Sequence, residues 1–142
     1  MDIIVGAGIP LGISAGADQT ICVSTTSVTV IGNTPVSGSG LWTKTSGPAG
    51  ETITTAASPT TTITGLTVGT YVFKWTITDG GCIASDEMSV IVNDIPTASA
   101  GGSNTICQTG AYTLAGGEAT STNGTILWTE SGAGSITAGA TT

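Results

Sequence analysis

The chain has 142 residues, a formal net charge of −7 and two cationic side chains, Lys44 and Lys74, with no Arg or His. That balance leaves almost nothing to neutralise phosphates and excludes nucleic-acid binding; an anionic membrane surface would repel the chain too. Leu, Ile, Val and Phe make up roughly a fifth of the residues, near the lower limit for a packed core, while the abundant Thr, Ser, Gly and Ala suit short strands and tight turns, so the composition reads as an all-β, secreted or surface-exposed protein.

The amino-terminal stretch MDIIVGAGIPLG is apolar, but it has no cationic start, carries Asp2 and is interrupted by glycines and Pro10. It therefore reads neither as a signal peptide nor as a membrane span. Its meaning comes from an internal repeat. SAGADQTIC from Ser14 to Cys22 returns as SAGGSNTIC from Ser99 to Cys107, 85 residues on, and LWT at Leu41–Thr43 returns at Leu127–Thr129. Self-similarity at this period signals a tandem array of small β-sandwiches. Both copies of the repeat follow an apolar run ending in Ile-Pro, DIIVGAGIP in one case and MSVIVNDIP in the other. Residues 1–10 then read as the last strand of a preceding repeat plus a linker, 11–94 as a complete sandwich, and 95–142 as the first part of a further, truncated repeat.

Within the complete repeat, SVTVI, TTITGL, YVFKWTIT and MSVIV read as strands. YVFKWTIT is the clearest, with Tyr71, Phe73, Trp75 and Ile77 on one face and mostly polar residues on the other. Turn signals separate these segments at Gly32-Asn33, Ser37 to Gly40, Gly47-Pro48 and Asp79-Gly80-Gly81. LTVGTY, Leu66 to Tyr71, has the spacing of a tyrosine corner, in which the hydroxyl bonds back to nearby backbone and the ring enters the core. Trp42 and Trp128 hold the same place in successive copies and, with Tyr71, Phe73 and Trp75, form the expected structural core.

Cys22 opens the repeat and Cys82 follows the aromatic strand, so a disulfide between them would tie the two ends of the sandwich and stabilise it by about 4 kcal/mol on a chain-entropy account. Cys107 corresponds to Cys22, and its partner would fall beyond the chain. The alternative is three reduced thiols in a cytosolic protein, which the rest of the composition disfavours.

Taken together, Cys22, Trp42, the LTVGTY corner, Trp75, Cys82 and the segments AGADQTIC, GLWT, TSGP and GGC resemble the PKD-like, immunoglobulin-like repeats of giant surface adhesins from gliding bacteria. The resemblance covers nearly the whole chain. It implies β-sandwich units, secretion to the cell surface and a part in filaments that touch surfaces or other cells; it supplies neither a catalytic residue nor a defined ligand. The second copy departs from the pattern, with Ser103 in place of Asp18 and no Pro after Gly132.

The absence of His removes the usual base for a nucleophile, and adjacent Asp86 and Glu87 fall on opposite faces of a strand, so no enzyme is expected and no cofactor is required. Calcium at a domain junction is the competing idea, with Asp18, Asp86, Glu87 and Asp94 as candidates; against it, Asp18 and Asp94 align with Ser103 and Gly8 in the other copies, so the carboxylates do not recur. Exposed tryptophans would instead make a glycan-stacking platform. Lys44 and Lys74 read as surface lysines with no partner for an isopeptide bond, and Asn123-Gly124-Thr125 fits a glycosylation acceptor pattern.

The expected function is a structural and adhesive repeat region of an extracellular filament, its partners being neighbouring repeats or copies of the same protein and an unknown surface or glycan ligand. A glycan-binding module is the alternative from a different class. A third reading is a short pilus-like subunit, in which residues 1 to 8 are donated as a strand to the open edge of another chain.

Overall fold

The structure is a computed structural model that describes residues 12–103, 120–131 and 135–136. Every regular element among them is a strand: β1 (Gln19–Cys22), β2 (Ser27–Ile31), β3 (Ser39–Ser46), β4 (Thr52–Ile53), β5 (Thr60–Thr64), β6 (Gly69–Asp79), β7 (Cys82–Asn93), β8 (Thr97–Ser99) and β9 (Thr120–Thr122). Contacts divide the chain into two compact units, Met1–Asp94 and Ile95–Thr142. Residues 1–10, expected as the strand of a preceding repeat, lie outside the described residues, as does Cys107.

The first unit is a β-sandwich. One sheet has the order β1-β7-β6-β3 and the other β2-β5-β4. Alternation along β6 turns Tyr71, Phe73, Trp75 and Ile77 inward; Met88, Val90 and Val92 of β7 and Trp42 of β3 join them. Val28 and Val30 of β2 and Ile63 of β5 close the core from the opposite sheet. The long β6–β7 ladder turns at Gly80-Gly81, both with positive φ, as a two-residue hairpin needs to match strand twist.

The two tryptophans pack with ring centroids 5.2 Å apart, and each indole N–H is satisfied: Trp42 Nε1 donates to the Pro59 carbonyl and Trp75 Nε1 to the Asn33 carbonyl, both at 3.1 Å. The expectation that Ser37 to Gly40 is all turn is corrected, because Ser39 and Gly40 already belong to β3. Gly40 is there because the Trp75 ring fills the space that a side chain would need, and Gly32 crowds the same ring from the other side. The tyrosine corner forms: Tyr71 is fully buried, and its hydroxyl accepts the Thr67 N–H at 2.9 Å.

In the second unit, β8 and β9 pair antiparallel from Thr97↔Thr122 to Ser99↔Thr120. Trp128 is only half-buried, and Leu127 beside it is exposed. Trp128 is therefore not the core residue expected from its alignment with Trp42, since the described part of this unit holds one two-stranded sheet and no facing sheet to enclose an indole.

Candidate functional site

The notable site is the seam between the first and last strands of the sandwich, together with the two ends that the seam connects. Strand β1 runs parallel to β7, from Gln19↔Val90 to Cys22↔Asn93, and the Val23 N–H extends the ladder to the Asn93 carbonyl at 2.8 Å. Two carboxylates continue it. Asp18 Oδ1 accepts the Ser89 N–H at 2.8 Å, and Asp86 Oδ2 reaches back to accept the Ala15 N–H at 2.9 Å. Each lends a charged acceptor where the backbone ladder has not yet formed, and such bonds are stronger than neutral ones. Ala15 is fully buried, so its amide needs this partner.

The calcium candidates are thus dispersed by role. Asp18 and Asp86 bond to backbone, Glu87 faces outward and pairs with Lys74 at 3.0 Å, and Asp94 lies just past β7. Among the described residues no group of three or more Asp, Glu, Cys or His stands close enough to hold a metal ion. A stacking platform also loses its two best members, since Trp42 and Trp75 are 1% and 0% exposed.

The expected Cys22–Cys82 disulfide is not formed; both thiols are free. Register gives the reason. Cys22 sits beside Asn93, the last residue of β7, whereas Cys82 is the first. The length of β7 therefore separates them by roughly 35 Å at the usual rise per residue, against a limit of about 7 Å between the Cα atoms of a bridged pair.

Lys44 also departs from the surface lysine expected of it. It is on the inward-facing register of β3, and its Nζ donates to Glu51 Oε2 at 2.7 Å and to the Pro48 carbonyl at 2.8 Å, pinning the loop between β3 and β4. The hydrogen bond from Lys44 is the main reason that the Glu51 carboxyl is held below its ordinary pKa.

The same registers locate the two ends. The chain comes in at Ser14 and Ala15, near Asp86, Asn33 and the β6–β7 turn, where Ser37 Oγ donates to Asp79 at 2.6 Å. It leaves at Asn93, beside Cys22 and Gly69. Sequence reading missed this seam because pairing between strands about 70 residues apart leaves no local pattern; the Ala15 to Asp18 and Asp86 to Ser89 segments were visible only as scattered polar residues.

Residues 15–92 match the family described as K319L-like, PKD domain. Among solved structures, the PKD domain from KIAA 1837 protein is 34% identical over 63% of this chain and 90% of its own, with a TM-score of 0.53. The PKD domain of human KIAA0319 is 24% identical over 66% of this chain and 87% of its own, with a TM-score of 0.51, a likeness of fold. No curated protein matches the chain. The PKD domain is a non-catalytic, immunoglobulin-like fold, typical of extracellular and surface proteins. A first and last strand paired in parallel across one edge of a sandwich, a tyrosine corner and a core of facing tryptophans, with the match over residues 15–92, make this chain a member of the K319L-like PKD-domain family.

Proposed function

We propose that the chain is a load-bearing spacer region of an extracellular surface filament or adhesin, in which PKD units follow one another in tandem. The observation that carries this reading is the β1–β7 seam. Tension enters at the start of β1 and leaves at the end of β7, and the two strands are parallel. Pulling slides one strand along the other, so the ladder bonds and the Asp18 and Asp86 clamps bear the load together rather than opening one by one. The 85-residue repeat, the acidic charge and the resemblance to adhesin repeats of gliding bacteria support a place outside the cell, where repetition gives reach and weak contacts add through avidity. Burial of Trp42 and Trp75 favours a spacer over a glycan platform.

The test is the size and accessibility of the native product. Extracted without proteolysis from the cells that make it, it should be many times larger than 13.8 kDa and should be cut by protease added to intact cells. A product of 13.8 kDa that is sealed from added protease would overturn the reading.

A further inference from the structure

The first unit carries two thiols that cannot reach each other, one at each end. Cys22 is exposed at the outgoing end beside Asn93, and Cys82 is partly exposed at the incoming end, where it closes the β6–β7 turn against Asp79. Each end also shows apolar side chains to solvent: Val36 and Ile83 at the incoming end, Val68 and Ile91 towards the outgoing one. The outgoing thiol recurs in sequence, since Cys107 stands 85 residues after Cys22 within the same motif.

Resting on the tandem reading above, we propose that Cys82 of one copy of this unit bonds to Cys22 of another, head to tail. A chain that enters a sandwich at one end and leaves at the other presents the outgoing end of one unit to the incoming end of the next, which brings together thiols of unlike position. Linkage confines them at high effective concentration. The contact is heterologous and does not close on itself, as a filament requires. In the reaction one thiolate attacks an external disulfide, of the glutathione or oxidoreductase kind, and expels one of its thiols. The second protein thiolate then attacks the mixed disulfide, forming the S–S bond and expelling the other thiol; two protons leave the cysteines, and the oxidant takes up the two electrons. Such a bond would carry load past the linker.

The experiment uses the full chain with Cys107→Ser, which leaves one thiol at each end. Equal amounts of nitrogen-14 and nitrogen-15 material are mixed at high concentration, oxidised with glutathione disulfide and mapped by mass spectrometry without reduction. The expected product is a peptide pair joining residues 22 and 82 with one label on each side, and Cys82→Ser abolishes it. Pairs joining like positions only, glutathione adducts only, or 22–82 pairs that never mix labels would each overturn the proposal. The tandem reading would survive such a failure, because it is decided by the native product's size.

Discussion

Trp75 occupies a slot whose walls are two missing side chains. A Cβ on Gly32 would lie 2.9 Å from the indole ring, and one on Gly40 would overlap it. Gly40 is thus an inward-facing strand position already filled by a neighbour, and Gly40→Ala should cost about 1–3 kcal/mol through overpacking, read as a lower urea midpoint with an unchanged slope. Sequence reading took this glycine for a turn, since nothing local distinguishes a glycine that bends the chain from one that makes room for an aromatic ring. Tyr71 was legible for the opposite reason: its partner, Thr67, is only four residues away.

Glu51 gives a pH dependence with a definite sign. Lys44 lowers its folded pKa from an ordinary 4.5, so the stability it contributes is complete above that value and is lost as pH falls through the lowered one. Thermal melts of the wild type should therefore lose stability on acidification below pH 4.5, and Glu51→Gln should flatten that part of the profile while leaving the neutral region less stable. A Glu51→Gln profile parallel to that of wild type would show that the Lys44 pair is energetically silent.

The strands that alternate were readable, and those that depend on a partner were not. YVFKWTIT and SVTVI announce β6 and β2 through period-two burial. Strand β1 has four residues and β4 two, with no fully buried side chain in either, and both exist because a neighbour supplies the ladder. For β1 that support includes the two carboxylates. Asp86→Ala should leave the Ala15 amide unpaired and raise hydrogen exchange at Ala15 and through Gln19–Cys22, while amides shared by β3 and β6 keep their protection. Unchanged exchange along β1 would remove Asp86 from the seam.

For the whole molecule, order along the chain misled where geometry decided. Two cysteines flanking a compact repeat invite a bridge, and the span between them would have made that bridge strongly stabilising. Their positions on β7, one at its first residue and the other beside its last, make them markers of opposite ends instead. The same layout turns a small sandwich into a strut, with tension directed along its longest ladder. Exposed apolar residues at both ends add material for contact with further copies.

The most direct measurement is single-molecule stretching of the full chain between its two termini, where the rate of forced unfolding reports the barrier along the pulled direction. The account predicts that the unit holding residues 12–94 resists as one body and yields in a single step. That step should move to lower force in the Asp18→Ala/Asp86→Ala variant and stay in place in Lys74→Ala, which breaks only the outward-facing pair with Glu87. Gradual extension without a step, or a step that ignores loss of the two clamps, would contradict the claim that the β1–β7 seam bears the load.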